Sequence, residues 1–156
     1  MASDEWRAEA KMPANEQSKP KHYKELLVWQ KGMNLAKLVY KLTMRFPAEE
    51  RYGLTSQMRR AAVSVPSNIA ERQARRSTNE FVQFLSVAEG SLAELDTQLS
   101  LSVELGFASQ SDVNASLKEI DELQKMLVAL KRKLASYSPL ATRHSPLRSG
   151  GRGLTQ

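Results

Sequence analysis

Six arginines stand between Arg51 and Arg76, at Arg51, Arg59, Arg60, Arg72, Arg75 and Arg76, against one acid, Glu71. Guanidinium groups in such a run suit phosphate oxygens. Each phosphate they neutralise releases counterions, so binding of this kind weakens with salt. Lys131-Arg132-Lys133 forms a second basic cluster late in the chain. Cations there also favour a helix C-terminus through the macrodipole, so that cluster has a structural explanation as well. No base-reading motif accompanies either group, and any nucleic-acid binding is expected to tolerate sequence.

Other chemistry finds little support. Cysteine is absent, which excludes disulfides, thiolate catalysis and Cys-ligated zinc. The two histidines, His22 and His144, fall in segments expected not to fold. Nothing there would hold a metal or build a Ser-His-acid arrangement. Neither GxxxxGK[ST] nor GxGxxG occurs, so no glycine loop cradles a phosphate. The Glu-x-x-His pair of di-iron bundles is missing. Glu49-Glu50 and Asp121-Glu122 are adjacent pairs, and helical neighbours do not share a face, so they read as solvated surface. The expectation is a protein with no catalytic residues, metal, cofactor or small-molecule substrate.

The elements that position these residues follow from periodicity. A first helix is expected over about residues 24–45. Trp29, Met33, Ala36, Tyr40 and Met44 form one stripe on it, and Leu35, Leu38, Leu42 and Phe46 a second beside it. So wide an apolar face exceeds what one partner helix covers. Phe46-Pro47 ends it, because proline disfavours helical geometry in the residue before it.

The second helix starts near Leu54, after Gly53, and carries Leu54, Met58, Ala61, Val65 and Ile69 across Pro66 without losing period. A proline there removes the bond to the carbonyl of Ala62 and clashes with it. A continuous, kinked helix is expected; a break at Pro66 is the alternative. On its polar side, Gln57, Arg60, Ser64, Ser67, Glu71 and Arg75 align, and small hydroxyl residues in mid-helix permit close approach of a neighbour or are simply exposed.

The third helix opens at Ser77-Thr-Asn-Glu80, a capping-box spacing, and runs through Phe81, Phe84, Ala88, Leu92, Leu95, Leu99 and Val103 to Gly106, a C-terminal cap. The fourth starts near Ser109 or Ser111 and carries Val113, Leu117, Ile120, Leu123, Leu127, Leu130 and Leu134 in a bundle seam. Short connections make consecutive helices antiparallel. The predicted fold is all-α: an up-down-up-down antiparallel four-helix bundle with a kinked second helix and disordered tails.

At 156 residues, 41% hydrophobic and 26% charged, the chain suits one such domain. Three stretches are expected: a disordered N-terminal arm over 1–22, the bundle over 23–136, and a disordered basic tail over 137–156. The net charge of +6 divides unevenly. Residues 1–22 carry four basic and four acidic groups, 137–156 carry three basic and none acidic, and the middle holds the remaining 16 basic and 13 acidic, so half the excess lies in the tail. No uncharged apolar run approaches the ~18 residues that span a bilayer. The start lacks the basic-then-apolar order of a secretion signal. A soluble protein of a reducing compartment, the cytoplasm, is expected, with no membrane partner.

Between Ser77 and Leu117 the sign reverses: Glu80, Glu89, Glu94, Asp96, Glu104 and Asp112 stand there with no Lys or Arg. The basic second helix and acidic third pair either within a subunit or partly across subunits, where complementary patches set register. Exposed pairs contribute roughly 0–1 kcal/mol each, so assembly energy must come from apolar area. The candidate oligomer interface comprises Trp29, Met33 and Tyr40 with Gln57, Arg60, Ser64, Ser67, Asn68 and Glu71; for the aromatics, intrasubunit core is the competing reading. The candidate nucleic-acid contacts are Arg59, Arg60, Arg72, Arg75, Arg76, Lys131, Arg132 and Lys133.

Leu27-Val-Trp-Gln-Lys31, Phe46-Pro47 with Glu50, and the run from Tyr52-Gly-Leu-Thr-Ser-Gln57 through Pro66-Ser-Asn-Ile-Ala-Glu71 resemble a bacterial four-helix-bundle family. Arg75-Arg76-Ser77, Glu80-Phe81 and Gly90-Ser-Leu-Ala-Glu-Leu-Asp-Thr-Gln-Leu99 extend the resemblance over roughly residues 23–134. Members of that family are often encoded in intervening sequences of 23S ribosomal RNA genes and are labelled ribosomal-protein-like. The resemblance implies a compact bundle, a ring-like homopentamer, and association with RNA or DNA, the last partly through a distant similarity to the accessory protein of diversity-generating retroelements. It supplies no catalytic residue. At Arg72 this chain departs from the family's Glu-Gly run, so its second helix is expected to extend through Ala74. A scaffold that binds only protein is the alternative function.

Overall fold

The computed structural model describes residues 26–74 and 78–137, with side chains over 26–71 and 80–136. The arm over 1–22 and most of the tail over 137–156 lie outside the described residues. Four helices follow in order: α1 over Leu27–Thr43, α2 over Leu54–Ala74, α3 over Thr78–Glu104 and α4 over Gln110–Tyr137, with a short 3-10 helix over Ala48–Tyr52 between α1 and α2. No strand occurs among the described residues. Each of α1 and α3 packs on both α2 and α4, so α1 and α3 stand diagonally across the bundle.

The core is one contiguous apolar cluster with a layer from each helix. In α2, the expected stripe of Leu54, Met58, Ala61, Val65 and Ile69 is buried throughout. The helix runs unbroken through Pro66, so of the two alternatives continuity is the observed one. It also extends through Ala74, as Arg72 in place of glycine implies. From α3, Leu85, Ala88, Leu92, Leu95 and Leu99 are fully buried; Leu85 joins the expected set, and Phe81 and Val103 pack at its margin. Val113, Ile120, Leu123 and Leu127 complete the core from α4.

In α1 the core takes a different line from either expected stripe. Val28, Gly32, Leu35, Val39 and Leu42 face inward at 4-3-4-3 spacing. Trp29 and Met33 are half-buried at its edge, while Tyr40 and Met44 stand outside, Met44 at 76% exposure. The line passes through a glycine, which periodicity of apolar residues does not register.

The ends are closed by local chemistry. Gly106, at φ +76°, adopts the left-handed conformation that glycine tolerates best. The amide of Gly106 donates to the Val103 carbonyl at 3.0 Å and that of Phe107 to the Ser102 carbonyl at 2.9 Å, the paired bonds of a Schellman cap. At the start of α4, the Asp112 amide donates to Ser109 Oγ (3.2 Å) and the Ser109 amide to Asp112 Oδ2 (2.9 Å), a reciprocal capping box. The Leu54 amide, first in α2, donates to Glu50 Oε2 at 2.9 Å. A Cβ on Gly53 would lie 2.6 Å from that same oxygen, so glycine leaves room for the cap. Glu50 is therefore a helix cap rather than idle surface. The capping box expected at Ser77 lies outside the described residues.

Candidate nucleic-acid interface

The basic residues divide into those engaged within the subunit and those left outward. Arg59 is engaged. Its Nε donates to Thr43 Oγ1 at 2.9 Å, and its guanidinium carbon lies 4.5 Å from the centre of the Tyr40 ring. Thr43 in turn donates to the Val39 carbonyl at 2.7 Å. The assembly pins the start of α2 to the end of α1 and keeps the tyrosine, 43% exposed, in a fixed place.

Lys131 is engaged as well: its Nζ donates to Glu89 Oε2 at 2.8 Å, joining α4 to α3, with both side chains largely sheltered. The basic cluster of α4 thus splits, because Arg132 stays exposed on the outer side of the helix with no ion pair. Arg60 is exposed too, one position beyond Arg59 and turned away from it. Side chains of Arg72, Arg75 and Arg76 lie outside the described residues.

Among the candidate interface residues, Gln57, Ser67 and Glu71 are exposed. Ser64 is half-buried and its hydroxyl hydrogen-bonds that of Ser91 on α3, the close approach that a small hydroxyl residue permits. Asn68 donates to the Ser64 carbonyl at 2.7 Å. Those two polar groups are satisfied within the subunit.

Two ion pairs that spacing alone does not reveal clamp α4 from its other side. Lys31 Nζ donates to Glu122 Oε2 at 2.6 Å and lies 3.6 Å from Glu119 Oε2. Partial burial works against the charge on Lys31, but the bond to Glu122 and the two carboxylates outweigh it and hold its pKa above the usual lysine range. Glu122 is therefore a structural partner of α1 rather than solvated surface. Arg45 Nη2 lies 3.3 Å from Asp112 Oδ1. The Asp112 carboxyl is held below its usual range, first by the Ser109 amide, then by the Ser109 hydroxyl and by Arg45.

A shallow hollow of about 260 Å³ lies at this α1–α4 end, between Leu38, Lys41, Arg45, Asp112 and Ser116. Its only carboxylate is already bound by Ser109 and Arg45, so no free general base stands in it. Among the described residues, no group of three or more acids or histidines is gathered to hold a metal. No helix among them is long and apolar enough to cross a membrane.

Residues 24–129, covering the whole bundle except its last turns, match the family model described as 23S rRNA-intervening sequence protein. The chain belongs to that family. In this 23S rRNA-intervening sequence protein the polar side of α2 is partly internal architecture, through Arg59 and Ser64. A solved structure from Bacteroides thetaiotaomicron, titled as a protein of unknown function from the S23 ribosomal protein family, is similar in fold. It has a TM-score of 0.62 at 19% identity, over 68% of this chain and 99% of that one. No curated protein matches the chain.

Proposed function

We propose that this 23S rRNA-intervening sequence protein acts without catalysis, as a bundle that associates with copies of itself and holds RNA or DNA by its phosphates. A ring of five is the assembly that the family resemblance implies. The observation that carries the nucleic-acid reading is the division of the cations. Lys31, Arg45, Lys125 and Lys131 are neutralised by acids of their own subunit. Arg60 on α2 and Arg132 on α4, among the described residues, face outward with no ion pair, on opposite sides of the bundle. Arginines left outward without an internal acid remain available to a polyanion partner, which supports this reading.

The test is binding of a generic RNA hairpin by the full chain across a salt series. Tight binding that weakens steeply with salt is expected, and Arg60→Glu with Arg132→Glu should lower the slope by about 0.7–0.9 per phosphate contact removed. Negligible binding at low salt removes the nucleic-acid reading.

The second reading, a scaffold for protein alone, is favoured by the exposed apolar side chains Val63, Val87, Leu101 and Val128. It prevails if Arg60→Glu dissociates the assembly and leaves any RNA binding intact.

A further inference from the structure

We infer that copies of this chain associate head to tail, the outer face of α1 on one copy seated on the outer face of α3 of the next. This rests on the self-association proposed above and names the two faces that make it.

The two faces are opposite in charge and lie on opposite sides of the bundle. Residues 27–43 contain three lysines and no acid. Lys31 turns to α4, and Lys37 and Lys41 stand exposed one turn apart. Residues 78–104 contain acids and no Lys or Arg, with Glu94, Asp96 and Glu104 exposed. Because α1 and α3 are diagonal, these charges do not face one another inside a subunit. A second copy can bring them together.

The surfaces also match in shape. Outward on α3, Val87, Gly90, Glu94, Thr97, Leu101 and Glu104 repeat at 3-4-3-4-3, the spacing of a helix–helix seam, yet no helix of the subunit covers them. Val87 and Leu101 are 52% and 42% exposed. A Cβ on Gly90 would meet nothing within 4 Å, so no contact inside the subunit calls for a glycine in mid-helix. Hydroxyls on and beside the seam donate to carbonyls of their own helix, Thr97 to Ala93 at 3.0 Å and Ser100 to Asp96 at 3.1 Å. Their donors need no water, which lowers the cost of covering this face. On α1 the outward residues are large: Tyr40, fixed by Arg59, and Met44 project between and beyond the lysines. On α3 the open position at Gly90 leaves room for such a protruding side chain.

A contact between two different faces is heterologous, so it closes into a ring or extends as a filament. It also leaves the outer sides of α2 and α4 free, where Arg60, Arg132 and Lys133 stand.

The test uses charge exchange in the full chain, read as mass by light scattering, with helicity by circular dichroism as the check on folding. Lys37→Glu/Lys41→Glu and Glu94→Lys/Glu104→Lys should each lose the wild-type mass while staying helical, and mixing the two variants should restore it. Gly90→Leu, which changes no charge, should also lose mass while staying helical. If both charge variants keep the wild-type mass, or the mixture fails to recover it, the assignment of faces is wrong although self-association stands. A wild-type chain that is monomeric overturns self-association itself.

Discussion

Gly32 of α1 lies against Pro66 of α2, so that a Cβ on the glycine would be 3.4 Å from the nitrogen, Cα and Cβ of the proline. The residue that interrupts one helix's hydrogen-bond ladder is the one that a glycine of the other helix faces. Proline in mid-helix removes a donor and adds a ring. The ring is buried here, and the neighbouring helix supplies a position without a side chain to receive it.

The consequence is a size limit at position 32. Alanine places only a Cβ at van der Waals contact, and its better helix propensity, about 0.5–1 kcal/mol, offsets the crowding. Gly32→Ala should therefore leave stability close to wild type. Gly32→Leu should lose about 1–3 kcal/mol by overpacking, seen as a lower urea midpoint with an unchanged slope.

Tyr40 and Arg59 give a second measurable joint. The guanidinium is stacked on an exposed ring and bonded to Thr43, so it braces α1 to α2 at the surface. Tyr40→Leu removes the ring's electrostatic contribution and should lower stability by about 0.5–1 kcal/mol, whereas Tyr40→Phe, which keeps the π face, should be near neutral. Equal losses in the two variants would mean that the hydroxyl, not the ring face, carries the effect.

Four helices, their order, the continuity through Pro66 and the cap at Gly106 were legible in the sequence, because apolar period and glycine or proline placement are local signals. What escaped was set by tertiary approach. The inward line of α1 passes through Gly32, invisible to a hydrophobic count, so Trp29 and Met33 fall to the edge and Tyr40 and Met44 outside. Arg59 reads as a phosphate contact until Tyr40 and Thr43 are brought beside it. Lys131 reads likewise until Glu89 arrives from α3. Glu50 and Glu122 look idle because each partner, the Leu54 amide or Lys31, is found only in the fold. Arg60 and Arg132 stand outward in the sequence reading and in the structure alike, as do Gln57, Ser67 and Glu71 on the polar side of α2.

Gly90 makes a prediction of opposite sign to Gly32. Its surroundings are open and the helix would accept a methyl group. In the Glu94→Lys/Glu104→Lys background, which is designed to remove the proposed contact, Gly90→Ala should raise stability by about 0.5–1 kcal/mol, through the smaller conformational entropy of the unfolded chain and better propensity. Thermal unfolding measures it. A loss instead of a gain would reveal a backbone requirement at this position.

Asp112 and Lys31 predict opposite limbs of the pH profile. The folded Asp112 carboxyl lies below its unfolded value, so what it contributes is present above the unfolded pKa and is lost as pH falls through the folded one. Asp112→Asn should flatten the acid limb of stability against pH. For Lys31 the folded pKa lies above the unfolded one, so its contribution is complete below the unfolded value and is lost as pH rises through the folded value. Lys31→Met should be less stable than wild type at neutral pH, because it leaves Glu119 and Glu122 facing α1 without their cation. That gap should close only above about pH 10.4, the ordinary lysine value, and denaturant unfolding of both proteins at neutral and strongly alkaline pH checks it. A gap that narrows already between pH 7 and 9 would show that the latch is not Lys31 paired with the α4 acids but a group titrating well below it.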